Sequence, residues 1–317
     1  MAQQTISAAH EPGRQIGALL YEGLALLLTA AASVLLVTLL VFTPTIFARG
    51  AAPTAADLQG YLAAVRAYLA GLVAGDFGQT ANQRPIYRDL MVGVEHSLQL
   101  LAVSFAVALP LGLAWSALLA NVRRRLPAML LFGLSTLAVS LPSFVVMLLA
   151  MEGVANFTLR TGLRIAYVQG YGLDLHLVLP AGVLALRGAA VLARSLQVAQ
   201  EEILRQDWIR AARARGLGGL GLWRRHVLPA LRLPLLGAVL GMLRVMISGL
   251  VIVDYLSGWN GLGRLMLRIR DSTTGPSEAQ VVAGAAVMLV LFFVIVDALG
   301  RLALRGADPR LREVASD

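Results

Sequence analysis

Long apolar runs alternate with short polar breaks along this chain. A helix rises 1.5 Å per residue, so crossing a hydrocarbon core of about 30 Å takes roughly 20 apolar residues. Six stretches meet that requirement, at approximately 17–43, 97–120, 128–151, 176–199, 231–256 and 280–304. The fourth and fifth are less apolar and carry internal arginines. The polar break at 44–96 is long. Within it Leu58, Tyr61, Leu62, Val65, Leu69, Leu72 and Val73 recur at helical spacing, which predicts an amphipathic helix on the membrane or against the spans.

The break at 200–230, between spans four and five, reads QEEILRQDWIRAARARGLGGLGLWRRHVLP. Asp207 is placed to cap a helix. Trp208, Ile209 and Ala212 share a face, and Arg213 and Arg215 fall in a last turn, where cations suit the helix dipole. Gly216 is a natural residue just past the helix end. The prediction is a helix of about two and a half turns, roughly 13 Å long. Isolated helices this short are marginal in water, so it needs a surface to dock on. Gly218, Gly219 and Gly221 permit a turn before a second amphipathic piece, Leu220–His226, which Pro229 is expected to end. On these residues alone the surface is either anionic lipid headgroups or a groove in another protein.

Composition narrows the class. The chain is 58% hydrophobic and 14% charged, against about 25% charge in a soluble domain. There is no cysteine, which removes disulfides and thiol chemistry, and the four histidines are scattered. No lysine occurs anywhere, so all of the positive side chains behind the net +9 are arginines. A P-loop needs a lysine on the phosphates, so ATP driving this protein must be bound by another chain. The arginines sit mostly in loops, which indicates topology and not nucleic-acid binding. Arg14, Arg123–Arg125, the 200–230 arginines, and Arg301, Arg305, Arg310 and Arg312 fall on one side. The positive-inside bias makes that side cytoplasmic, with both termini there. This gives cytoplasmic ends at 1–16 and 305–317 around a transmembrane domain at 17–304, with no cleaved signal peptide.

At Glu202-Ile203-Leu204-Arg205-Gln206-Asp207-Trp208-Ile209-Arg210-Ala211-Ala212-Arg213-Ala214-Arg215-Gly216-Leu217 the chain resembles the cytoplasmic coupling loop of permeases in ATP-binding-cassette importers. The form is that of the dipeptide/oligopeptide branch, approximately E-V-L-x-x-D-Y-V-R-T-A-R-A-K-G-L. Further likenesses are Gly75-Asp76-Phe77-Gly78, Leu141-Pro142-Ser143-Phe144, Trp259-Asn260-Gly261-Leu262-Gly263-Arg264 and Asp308-Pro309-Arg310. The departures are Asn260 for a usual Pro, Asp254 for a usual Glu, Glu95-His96 in place of a Pro-containing run, and Arg187 where small residues are usual. The resemblance implies an all-α, six-span permease of the type I importer fold in a bacterial inner membrane. It implies a second homologous permease, two cytoplasmic ATP-binding subunits carrying ATP and Mg, and an external substrate-binding protein. It makes Glu202, Asp207, Trp208, Ile209, Arg210, Ala211, Ala212, Arg213, Arg215, Gly216 and Leu217 the ATPase interface, with Trp208 and Ile209 as anchors. The chain itself would be non-catalytic and bind no cofactor or metal. Substrates in such a family include peptides, glutathione and nickel.

Two arginines fall within spans. Arg187 lies about ten residues, roughly 15 Å, below the outer surface, and Arg244 about twelve residues, roughly 18 Å. Each costs about 2.5–3.5 kcal/mol at the midplane, which points both at a wet interior. Asp254 and Asp297 are expected near opposite span ends, leaving neither as an obvious partner. Arg187 and Arg244 are therefore candidates for a substrate path, against a structural ion pair with a partner permease. A stand-alone secondary transporter or channel is the rival class. It favours mid-span acids and broken helices, and no inverted repeat is visible here. No local signature marks an enzyme: Glu201 and Glu202 are adjacent and point about 100° apart.

Overall fold

The structure, a computed structural model, describes residues 12–46, 54–80, 83–122, 125–267 and 276–307. The D-P-R resemblance at 308–310 and Arg49, Arg123, Arg124, Arg268, Arg270, Arg310 and Arg312 lie outside the described residues. Apart from one isolated bridge, Gln79 to Pro85, the described secondary structure is helical. Among the described residues, six helices are long and apolar enough to cross a membrane.

Helix α1 (Pro12–Phe42) supplies the first span, Gly23–Phe42. Leu24, Leu27, Leu28, Leu36 and Leu40 all point outward, a surface matched to acyl chains and not to water. Helix α2 (Ala55–Val73) is the predicted amphipathic helix. Thr54 and Asp57 close a capping box at its start. Only part of the predicted stripe packs. Val65 and Tyr68 are buried with Phe42 and Ala283, and Tyr61, Leu69 and Leu72 flank them. Leu58, Leu62 and Val73 remain exposed.

Helix α3 (Ile86–Asn121) starts three turns before the expected second span, because Pro85 fixes a helix entry there. The first turns of α3 thus replace the end of the predicted 44–96 loop. The third span is corrected as well. The stretch 128–151 is not one helix but parts of two, α4 (Arg125–Ser140) and α5 (Ser143–Thr161). Pro142 lacks an N–H and disfavours helical backbone at Leu141, which separates them. Membrane-crossing length belongs to α5, with Met129–Ser140 a shorter apolar helix beside it.

Helix α6 (Leu175–Arg205) is the axis of the bundle, packed along α3 and α10 with α4 and α5 at its sides. Small residues make this possible: Gly188, Ala189, Ala190 and Ala193 are buried on α6. A side chain at Gly112 would meet Leu192 Cδ2 at 2.8 Å, and one at Gly188 would meet Met246 Sδ at 2.9 Å. Close backbone approach of this kind substitutes for the hydrophobic effect, which does not drive helices together inside lipid.

Beyond α6 come α7 (Asp207–Ala214), α8 (Gly219–Leu222), a π turn (Trp223–Val227), α9 (Leu228–Ala230), α10 (Arg232–Ser257), α11 (Leu262–Met266) and α12 (Pro276–Ala307). Pro229 does not end the second loop helix as expected. In an α register its ring would collide with the carbonyl four residues back. The wider π turn just before it relieves that crowding, and the chain runs almost directly into α10.

Candidate functional site

The loop helix α7 is held by its own chain. Ile209 and Ala212 are fully buried in a cluster with Leu222, Val227 and Leu231, against which Ile203, Leu204 and Leu217 pack. These residues come from the end of α6, from α7, and from the segment entering α10, so the three are packed as one unit. Ile209 and Ala212 therefore brace the helix and are not surface anchors. Their burial follows from their three-residue spacing, which places them on one face. Trp208 stands 42% exposed, with its ring 6.1 Å from that of His226. The outward surface is Glu202, Asp207, Trp208, Arg210, Ala211, Arg213, Arg215 and Gly216, with Leu217 half-buried.

The ends of α7 differ from the sequence reading at one side only. Gln206 is the N-cap and Asp207 the first helical residue. Asp207 accepts from Arg210 Nη1 at 3.3 Å, an exposed pair one turn along. A carboxylate in the first turn still suits the helix dipole. At the other end Gly216 adopts φ +83°. Gly216 N–H donates to Arg213 O at 2.9 Å, and Leu217 N–H to Ala212 O at 3.2 Å. This is the double bond pattern of a Schellman motif, and it needs a residue without a Cβ penalty in the left-handed region.

A second constellation lies at the opposite end of the bundle. Asp254, near the end of α10, is fully buried. Its Oδ2 accepts from Ser97 Oγ at 2.9 Å and from Gly263 N–H at 3.2 Å. Ser97 Oγ in turn accepts from Leu262 N–H at 2.9 Å. A Cβ on Gly261 would sit 2.1 Å from the Asp254 carboxylate, and one on Gly263 would sit 2.4 Å from Val251 O. The glycines of the W-N-G-L-G turn thus let it close directly over the carboxylate. The same turn reaches α3 and the 162–174 loop. Trp259 Nε1 donates to His96 O at 2.9 Å, and His96 Nδ1 lies 3.1 Å from Asn260 O. His96 stacks on Tyr171 at 4.0 Å, and Tyr171 meets Trp259 at 4.7 Å. Three of the departures from the family pattern, His96, Asp254 and Asn260, therefore meet in one cluster. The sequence reading missed Asp254 as its centre, although the Gly261/Gly263 pair signalled that something must approach closely.

The two span arginines are not brought together. Arg187 is half-buried and donates through Nη1 to Ser143 Oγ at the break between α4 and α5. Its Nε is buried without a partner among the described residues. Arg244 instead points to α12, where it pairs with Asp297, and Arg301 shares that carboxylate at 2.9 Å. The expectation that Asp297 offers no partner is thus corrected. Helix α12 runs on to Ala307, which places Asp297 ten residues, roughly 15 Å, inside that end. Arg244 lies twelve residues, roughly 18 Å, from the start of α10 at Arg232, so the two meet at similar depth.

Residues 108–312 match the model of the binding-protein-dependent transport system inner membrane component. The chain belongs to this family. It is 30% identical to the oligopeptide transport system permease protein OppB of Mycobacterium tuberculosis over 255 residues, covering 76% of this chain and 77% of that one. A putative peptide permease of Brucella ovis is 27% identical, covering 78% of each chain. The glutathione transport system permease GsiC of Escherichia coli is 25% identical, covering 77% of this chain and 78% of that one. Among solved structures the fold matches a chain of the MetNI methionine ABC transporter in an inward-facing conformation. That match has a TM-score of 0.55 at 20% identity and covers 69% of this chain and 96% of that one. This permease is therefore an inner-membrane component of an ABC importer, with the type I importer fold.

Proposed function

We propose that this permease pairs with a second, related permease to form the membrane path of an importer for short peptides. An external binding protein delivers the substrate, and two cytoplasmic ATPases drive it. In this reading the 200–230 end of the bundle and both termini are cytoplasmic, and α7 with its flanks docks on one ATPase. ATP and Mg belong to those subunits, since the chain has no lysine for a P-loop. The peptide and glutathione names of the relatives support the substrate class.

One observation carries the coupling role. Helix α7 turns Trp208, Arg210 and Arg213 outward while Ile209 and Ala212 fix it to α6 and to the segment entering α10. A push on the exposed face is therefore delivered to two spans without being absorbed by a flexible loop. Burying the free two-fifths of Trp208 covers roughly 60–100 Å² of a side chain that buries about 150–250 Å² in full. At about 25 cal/mol per Å² that is about 2 kcal/mol, enough for a contact that forms and releases.

Arg187, and Arg244 with its Asp297 and Arg301 partners, border the proposed path and attract substrate carboxylates. Uptake by proteoliposomes holding the assembled transporter tests both parts. ATP-dependent uptake of a labelled short peptide is expected. Arg187→Gln and Arg244→Gln should slow anionic peptides more than neutral ones. Uptake by this chain alone without ATP would favour a secondary transporter. Equal uptake of both peptide classes at the wild-type rate would remove the arginines from the path.

A further inference from the structure

A cleft of about 640 Å³ opens between the last turns of α3 and the segment 223–235. It continues into a second hollow past Trp223, Arg224 and Leu228, bordered there by Arg213. The mouth carries Arg224 and Arg232, and among the described residues no carboxylate lines either hollow. The walls are apolar, with Leu113, Leu196 and Leu235 on three different helices. The floor is polar. Gln200 is 95% buried and donates from Nε2 to Ser116 Oγ at 2.8 Å, while its Oε1 has no partner among the described residues.

The depth of these groups decides what fits. The apolar length of α3 closes at Ala120 and that of α10 opens at Arg232, so the cleft mouth lies at the loop-side ends of both helices. Leu113 is eight residues inside the end of α3 and Leu196 nine inside the end of α6, or roughly 12–14 Å towards the bilayer centre. The cations therefore sit at the loop ends of the helices and these leucines roughly two turns further in, the order of a headgroup and its acyl chain. A soluble anion would use only the first layer and a hydrocarbon only the second. Leu228, 52% exposed beside Arg224, is unfavourable in water and favourable against a chain.

We infer that this cleft binds an anionic phospholipid, phosphatidylglycerol being the simplest. Arg224 and Arg232 hold the phosphate, and the leucine walls take the first part of an acyl chain. The seated lipid fills the space beside the π turn and stiffens the joint between the loop helix and α10.

The test is native mass spectrometry of the full chain, purified with its co-expressed partner subunits and given equimolar phosphatidylglycerol and phosphatidylcholine. Wild type should retain phosphatidylglycerol preferentially. Arg224→Gln with Arg232→Gln should lower that preference roughly fivefold per guanidinium, about 1 kcal/mol each. Arg224→Lys, which keeps the charge, should retain most of it and guards against a merely misfolded double variant. Arg160→Gln with Arg164→Gln, at the opposite end of the bundle, should change nothing. Equal retention of the two lipids by wild type, or an unchanged preference in the double variant, overturns the site. Displacement of the lipid by inorganic phosphate at the same concentration would reduce it to a plain anion site. Exclusion of lipid whenever the ATPases are bound would give the cleft to a protein surface instead.

Discussion

Trp208 and Ile209 are neighbours in the chain with opposite environments, and substitution separates their roles. Ile209→Ala empties a fully buried position, which costs about 2–5 kcal/mol. It should lower the thermal unfolding midpoint of the purified permease. Trp208→Ala should leave that midpoint nearly unchanged and reduce ATPase co-purification, by roughly thirtyfold in affinity if about 2 kcal/mol is lost. The buried carboxylate gives a second residue-level prediction. Asp254→Ala strands the Ser97 hydroxyl and the Gly263 N–H, at about 1–3 kcal/mol for each unpaired buried group. Asp254→Asn keeps an acceptor for both donors and should retain most of the stability. Gly263→Ala should be as damaging as Asp254→Ala, because its Cβ would meet backbone and not a movable side chain. Thermal unfolding followed by size-exclusion chromatography checks the order of the three.

At the scale of elements, the loop helix shows what local chemistry makes legible and what it does not. Its C-terminal cap was readable because a left-handed residue strongly selects glycine. Gly216→Ala should therefore cost about 1 kcal/mol or more and uncouple transport from ATP hydrolysis before it unfolds the permease; parallel ATPase and uptake assays would show this split. Its N-cap was misplaced by one residue, since Asp serves nearly as well at the first helical position as at the cap. The pairing of Ile209 with Ala212 was legible from their three-residue spacing, but Trp208, next to Ile209 and about 100° round the helix, does not share their face. Which residues of the helix meet the same chain depends on α6 and on the segment entering α10, and periodicity within eight residues carries no record of that. Pro142 and Pro229 make the same point. One separates two helices and the other is accommodated, because the π turn ahead of Pro229 supplies room that nothing supplies at Pro142.

For the whole molecule, six apolar stretches fix the class because bilayer thickness acts on length alone. Pairings between distant stretches, such as Ser97 with Asp254 or Arg244 with Asp297, depend on how the helices stack, and hydropathy does not encode stacking. The central claim concerns the assembly: force enters through α7 and reaches the path through α6 and α10. The permease contains no cysteine, so introduced thiols have no background. The most direct measurement places a single cysteine at Arg210 and, in a separate variant, at Leu163 near the opposite end. Each is treated with a short thiol-reactive cross-linker in membranes containing the assembled transporter. The account predicts an adduct with an ATPase subunit from Arg210→Cys, modulated by ATP, and none from Leu163→Cys. An ATPase adduct from Leu163→Cys and none from Arg210→Cys would contradict it.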